Sequence, residues 1–437
     1  MSVEQRIAAL FPDGGAKVLQ LVGAPNWAAL GALVPVDQRR GTTLGIALRI
    51  RDALSQRALF VPAAQMSMVL FEHVEAKRGA DDVATLAELG MLGALLWRSG
   101  AREQGVRRME EAYRRLLIAQ GRRSLAAGRV AADLAMHWVE ENDLVRAAEL
   151  LTAAYRSRKE HAPDSVGLVA AQLAEVCIRQ GEYERAKTPA KEAWELHLRQ
   201  LGIKNPRTRV RGRVYADLLM HLEDSEAACA VYREVLLATS DKDSEAYAEV
   251  AFELGMTLET VGQGEEAFRL VERAVRISRQ IQRSSGQPRP SMARWLDGYA
   301  GLLMQRSRSG EAEGLLLEAM ESECSLHGEV SLPTGERHLQ LARYYFGVDR
   351  RAEAVGRLEA GVSVLRSVRG DEDHRVRRIV GEFVDVLQED IQAAVKSRDF
   401  ELARAIVRSA RRVSNDVLGE SDTRSQMLRQ MATRLEG

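Results

Sequence analysis

A pattern of small residues that returns about every 42 residues constrains the fold more than any other feature of this 437-residue chain. In its clearest copy, residues 173–194, the small residues are Ala174, Ala186 and Ala193. A turn is predicted at Gly181, and Tyr183 follows it. We use the small residue that opens the second half of each copy as a marker; the markers are Gly105, Ala147, Ala186, Ala228, Ala267, Ala312, Ala354 and, more loosely, Ala403. Successive markers are 42, 39, 42, 39, 45, 42 and 49 residues apart. Such a chain grows by stacking units rather than by enlarging one core.

Each copy has the pattern of a helical hairpin. A second small residue usually lies 12 positions before the marker, and an alanine often lies seven positions after it. Small residues at these places let two antiparallel helices approach closely, while Leu, Trp, Tyr and Val three or four positions away fill the surrounding space. One hairpin buries only one face, so neighbouring hairpins must supply the rest of the core. The sequence therefore predicts an all-α protein.

The small-residue pattern, the Gly181-x-Tyr183 turn and the connector Leu201-Gly202 followed by Asn205-Pro206-x-Thr208 resemble the tetratricopeptide repeat. The interval near 42 residues resembles the longer form of this repeat in kinesin light chains. The resemblance covers about residues 92–412. It implies a right-handed α-solenoid superhelix of stacked antiparallel helical hairpins, with a protein-binding scaffold as the expected function.

The ends of the chain depart from the pattern. We predict that residues 1–42, with Pro12, Pro25 and Pro35, form an N-terminal cap or a partner-binding segment. Residues 43–78 are predicted to form a degenerate helical hairpin, and residues 79–437 the repeat array with C-terminal capping helices.

Composition narrows the function classes. The chain has 62 Lys and Arg residues and 62 Asp and Glu residues, so its formal net charge is zero. Net charge therefore gives no reason to expect binding to nucleic acid or to an anionic membrane. The three cysteines, Cys177, Cys229 and Cys324, are widely spaced and indicate neither a disulfide framework nor a zinc knuckle. The N-terminus lacks the pattern of a cleaved signal, and no long apolar stretch occurs. A cytoplasmic protein is expected, without nucleic-acid or membrane binding; the oligomeric state is not determined.

The chemical motifs are weak. Gly262-x-Gly264-x-x-Ala267 matches a dinucleotide fingerprint, but that motif needs a preceding strand, and here a helix is predicted. Two glycines, Gly14 and Gly15, precede Lys17, but the spacing of a phosphate-binding loop is absent. None of the eight histidines forms an H-E-x-x-H motif. We therefore predict no enzymatic activity, no cofactor and no metal.

The resemblance implies that the first helices of the hairpins line the concave face of the array. The residues predicted to form an apolar floor there are Trp97, Met136, Val139, Met220, Phe252 and Met256. Those predicted to orient acidic groups are Arg129, Arg213, Arg294 and Arg343. Methionine adapts to varied apolar partners, so this surface suits an apolar or amphipathic segment with acidic groups. Packing between successive first helices is the alternative interpretation of the same positions.

We accordingly predict a non-enzymatic scaffold or adaptor that binds a protein or peptide segment in the concave groove. The alternative function is a peptide- or partner-responsive regulator whose superhelix changes shape to control an effector protein. The basic stretch from Lys204 to Arg213 fits either a ligand site or a solvated face.

Overall fold

The computed structural model describes Ala8 and residues 16–22, 43–370 and 374–436, and all regular secondary structure in these ranges is helical. The chain divides into two compact units, Met1–Val231 and Tyr232–Gly437. The first unit contains α1 (Ala16–Val22), α2 (Thr43–Gln56), α3 (Phe60–Arg78), α4 (Val83–Arg98), α5 (Arg102–Gln120), α6 (Leu125–Glu140), α7 (Leu144–His161), α8 (Gly167–Arg179), α9 (Tyr183–Leu201) and α10 (Pro206–His221). The unit boundary falls within α11 (Ser225–Ala238).

The second unit continues with α12 (Glu245–Thr260), α13 (Gly264–Ser285), α14 (Met292–Gln305), α15 (Ser309–His327), α16 (Leu332–Gly347), α17 (Arg351–Arg369), α18 (His374–Lys396), α19 (Phe400–Val417) and α20 (Thr423–Glu436). The helices pack as consecutive hairpins in each unit, for example α4 with α5 and α14 with α15. The predicted all-α fold of stacked antiparallel hairpins is confirmed. Most of the predicted N-terminal segment, residues 1–42, lies outside the described residues.

Every hairpin turns on one residue in the left-handed region, five positions before the marker. These residues are Ala58, Gly100, Asn142, Gly181, Glu223, Gly262, Ser307, Asp349 and Arg398, with φ between 58° and 101°. Only glycine adopts this conformation without a steric cost from Cβ. The turn geometry is therefore kept even where the sequence does not supply glycine, which explains why the turn signal is weak in six of these nine copies.

The small residues at the marker positions permit close approach of the two helices of a hairpin. A Cβ atom added to Gly105 would lie 2.5 Å from the Trp97 backbone nitrogen and 2.6 Å from the Gly93 carbonyl oxygen. The alanine markers, such as Ala147 and Ala267, are fully buried. Sterics thus fix the residue type at the contact, and the periodic pattern follows from it.

The hairpin of α2 and α3 has the same turn geometry, because Ala58 lies 42 residues before Gly100. Its marker is then the fully buried Ala63. Twelve positions before Ala63, where other copies carry Gly or Ala, stands the buried Arg51, whose guanidinium pairs with Glu88 of α4 at 2.5 Å. Burial raises the pKa of the Glu88 carboxyl, and Arg51 opposes this shift. An arginine in place of a small residue obscures this copy in the sequence.

Candidate partner-binding surface

The residues predicted to line a groove all lie on first helices of hairpins. The first unit holds Trp97 on α4, Arg129, Met136 and Val139 on α6, and Arg213 and Met220 on α10. The second unit holds Phe252 and Met256 on α12, Arg294 on α14 and Arg343 on α16. We call the exposed side of α4, α6, α8 and α10 the first-helix surface.

One row of this surface is apolar and half-buried. Trp97, Val139, Ile178 and Met220 each lie eight positions before a marker, so they occupy equivalent places on α4, α6, α8 and α10. Met136 is also half-buried, and its Sδ accepts a hydrogen bond from Gln172 Nε2 of α8 at 3.0 Å. These side chains serve both contact between repeats and the adjoining surface.

A second row, 18 positions before each marker, is more exposed. It consists of Ala87, Arg129, Leu168 and Val210. Leu168 is 58% exposed and Val210 is 48% exposed, although both stand in regular helices of a unit with a large apolar interior. The sequence prediction selected Arg129 but neither of these two residues. Their equivalence to Arg129 in the repeat was the signal that could have identified them.

Arg129 is exposed and makes no ion pair with any residue that the structure describes. It lies beside a cavity of about 760 Å³, whose lining includes Val83, Ala87, Leu125 and Val130. Burial raises the pKa of the half-buried Asp133 on the same helix, and Arg98 and then Arg158 and Arg129 oppose that shift. Asp133 pairs with Arg98 at 3.4 Å, and the side chain of Arg129 is exposed to solvent.

In the second unit the two arginines predicted to orient acidic groups are paired. Arg294 contacts the Glu253 carboxylate at 2.5 Å, and its guanidinium carbon lies 5.2 Å from the centroid of the Phe252 ring. Arg343 lies 3.8 Å from the Glu382 carboxylate. Both arginines thus pair with a carboxylate of a neighbouring first helix of the same chain.

Phe252 requires a correction to its predicted place in an exposed floor. It is 2% exposed and stacks on Trp295, with ring centroids 5.3 Å apart. A Cβ atom added to Gly298 would meet Phe252 at 2.8 Å and the half-buried Met256 at 3.1 Å. Phe252 therefore belongs to the interior between α12 and α14, because the small Gly298 leaves room for its ring.

The basic stretch on α10 begins with a helix cap. Asn205 Oδ1 accepts a hydrogen bond from the Arg207 backbone N–H at 2.9 Å, and Arg209 donates to the Lys204 carbonyl at 2.5 Å. Arg213 and Met220 are half-buried further along the helix. Part of the stretch thus has a structural role at the start of α10.

The weak chemical motifs receive structural explanations. Gly262 forms the left-handed turn between α12 and α13, and Ala267 is buried at a hairpin contact. The element before the glycines is a helix, as predicted, so the fingerprint lacks the strand that it requires.

Within the described ranges no group of three His, Cys, Asp or Glu side chains is arranged to hold a metal ion. None of the described helices is both long and apolar enough to cross a membrane.

The fold is similar to that of solved helical repeat proteins. The apo form of RapI matches 86% of this chain and 99% of its own length, with a TM-score of 0.53 and 11% sequence identity. BtubC (BKLC) from P. vanneervenii matches 51% of this chain and 89% of its own, with a TM-score of 0.41 and 20% identity. A Podosopora anserina kinesin light chain protein with nearly identical TPR-like repeats matches 47% and 97%, with a TM-score of 0.42 and 18% identity.

No protein-family model matches the sequence, and no curated protein matches it. The structural likeness, at these identities, concerns the fold. Together with the hairpins and their 42-residue spacing, it agrees with the resemblance carried by the sequence. The chain has the fold of a tetratricopeptide-type repeat protein.

Proposed function

We propose that the protein is a non-enzymatic scaffold or adaptor that binds a protein or peptide segment on the first-helix surface of its first unit. The observation that carries this proposal is the row formed by Arg129, Leu168 and Val210. A cation without an ion pair among the described residues stands at the same repeat position as two aliphatic side chains that are about half exposed.

The chemistry of the row defines the partner. Leu168 and Val210 offer apolar area to an aliphatic or aromatic side chain, and covering each would contribute about 1 kcal/mol. Arg129 offers a charge-assisted hydrogen bond to a carboxylate. An amphipathic segment with an acidic residue beside its apolar face satisfies all three positions, and the cavity of about 760 Å³ accepts a side chain next to Arg129.

The proposal is tested by capturing partners on the full-length protein and on Leu168→Glu/Val210→Glu. The matched control is Ile118→Glu/Val330→Glu, because Ile118 is 82% exposed and Val330 is 65% exposed, and both lie outside the surface. A partner identified on the wild type and on the control is then purified and titrated by calorimetry.

We expect the first-helix variant to bind that partner at least about tenfold more weakly, since a buried carboxylate would face the apolar side of the segment. Arg129→Ala should weaken binding by about threefold and reduce its salt dependence. Equal affinity of all these proteins for every captured partner would overturn the proposal.

A further inference from the structure

The second helices of the first unit carry a groove that the proposed function does not use. It has a volume of about 1130 Å³ and is lined by residues of α5, α6 and α7, by the loop residues Arg122 and Arg123, and by Arg185 of α9. We call it the second-helix groove. Its lining combines apolar side chains with six arginines and two glutamates: Arg114, Arg122, Arg123, Arg146, Arg156, Arg185, Glu110 and Glu149.

Three of the six arginines have carboxylate partners. Arg123 lies 3.6 Å from Glu160, Arg146 lies 3.3 Å from Asp143, and Arg185 lies 2.7 Å from Glu182. In these pairs a carboxylate balances the positive charge of the arginine.

The other three, Arg114, Arg122 and Arg156, make no ion pair with any residue in the described part of the chain, and all three are exposed. Arg114 and Arg156 each lie nine positions after a marker, so they are equivalent residues of α5 and α7. One such arginine therefore stands on each helix that borders the groove.

The floor of the groove is apolar. Leu117, Leu150 and Tyr113 are half-buried there, and Leu134 is buried beneath them. The half-buried Trp138 also lines the groove, and the guanidinium carbon of Arg146 lies 4.5 Å from the centroid of its ring. Apolar side chains between two cationic borders match an occupant with an apolar face and acidic flanks.

We propose that the second-helix groove binds an acidic amphipathic helix of a partner protein. The bordering helix α5 has 19 residues, about 28 Å at 1.5 Å per residue, which accommodates a helix of about 18 residues. Its apolar face would cover Tyr113, Leu117 and Leu150, and its carboxylates would pair with Arg114 and Arg156. A single-stranded nucleic acid is a poorer fit, because it carries a charge at every nucleotide and could not avoid Glu110 and Glu149, whereas a helix can place its carboxylates beside Arg114 and Arg156 and its apolar face over the floor.

The test uses the full-length protein and a fluorescein-labelled 18-residue peptide of Leu, Ala and Glu. Leucines at helical spacing form one face, and glutamates flank it. A second peptide carries Gln in place of every Glu. Fluorescence anisotropy at two salt concentrations measures the dissociation constants, and circular dichroism confirms that each variant is folded.

We expect the Glu peptide to bind at least about tenfold more tightly than the Gln peptide at low salt. Arg114→Glu/Arg156→Glu should abolish that difference. The control Arg276→Glu/Arg283→Glu makes the same charge change at two exposed arginines of α13 that have no ion pair among the described residues, and it should bind like the wild type.

Leu168→Glu/Val210→Glu should also keep full affinity for the Glu peptide, which separates this groove from the first-helix surface. Binding should quench or shift the fluorescence of Trp138, and Trp138→Phe should remove that signal. The proposal is overturned if neither peptide binds, if the Arg114/Arg156 variant binds as well as the control, or if a 20-nucleotide single-stranded DNA binds at the groove more tightly than the Glu peptide.

Discussion

Arg129 in the first unit and Arg294 in the second occupy the same repeat position, 18 residues before their markers, yet they behave differently. Arg294 pairs with Glu253 of the preceding first helix, whereas Arg129 makes no ion pair among the described residues. Glu253 lies 14 positions before its marker, and the equivalent residue of the helix preceding Arg129 is Met91. The presence of one carboxylate, that of Glu253, thus distinguishes Arg294, which links two repeats, from Arg129, which faces solvent.

Further ion pairs between successive first helices occur in the second unit. Arg337 of α16 pairs with Asp297 of α14, and Arg343 of α16 with Glu382 of α18. In the first unit, ion pairs join α2 to α4 and α4 to α6, whereas the described residues of α6 and α8 share no ion pair and are linked by the hydrogen bond from Gln172 to Met136 and by apolar packing. The same face can therefore carry ion pairs between repeats at some positions and an exposed mixed surface, at Arg129, Leu168 and Val210, at others.

The largest difference between the units is expected at their apolar residues. Phe252→Ala removes a ring that is 2% exposed and stacked on Trp295, so the free energy of unfolding should fall by about 3 to 5 kcal/mol. Leu168→Ala, at a residue that is 58% exposed, should cost about 0.5 kcal/mol or less. Urea unfolding followed by circular dichroism measures both. Equal losses would mean that the two faces are buried alike.

Ion pairs provide the next test. Arg337 is 13% exposed and also pairs with Glu323 at 3.1 Å, so Arg337→Ala leaves two poorly solvated carboxylates and should cost about 2 to 3 kcal/mol. Arg129→Ala should change the free energy of unfolding by less than about 0.5 kcal/mol. A loss at Arg129 as large as that at Arg337 would contradict the distinction between paired and solvent-facing arginines.

The cost at Arg337 should depend on pH. Burial already raises the pKa of Asp297, and Arg337 opposes that shift, so removing Arg337 raises the pKa further. A carboxyl whose pKa is higher in the folded state binds its proton preferentially there, and its contribution to stability is lost as the pH rises through that pKa. The deficit of Arg337→Ala should therefore be smaller at pH 5 than at pH 8. A deficit that grows as the pH falls would contradict this assignment.

The hairpin turns should behave alike in both units. Gly181 and Gly262 have positive φ values and no atom within 4 Å of an added Cβ, so Gly181→Ala and Gly262→Ala should each cost about 1 kcal/mol through the backbone alone. Glu223→Gly and Ser307→Gly, at residues with φ of 59° and 58°, should leave stability unchanged or raise it by about 0.5 kcal/mol. Thermal unfolding measures these shifts, and opposite signs in the two units would show that the turns are not equivalent.

The hairpins were predictable because their close contacts admit only small residues, as at Gly105 and Ala147. The copy at α2 and α3 was obscured because Arg51 replaces the small residue and is compensated by Glu88, a partner that no local pattern reveals. Phe252 was assigned to a surface because helical periodicity identifies a face but not what covers it. Its burial depends on Gly298, 46 residues further along the chain.

The smallest and sharpest effect concerns the residue that distinguishes the two arginines. Met91→Glu places a carboxylate where Glu253 stands relative to Arg294, and Glu253→Met removes it from the second unit. A double-mutant cycle of Met91→Glu with Arg129→Ala should give a coupling energy of about 0.5 kcal/mol, similar to the native coupling of Glu253 with Arg294. The cycle cancels the packing that Met91 loses, because that loss is common to both backgrounds. Met91→Glu should also weaken partner binding at the first-helix surface as Arg129→Ala does, since it occupies the same guanidinium. Zero coupling at both positions would show that the repeat geometry, and not the carboxylate, decides whether the arginine stays exposed.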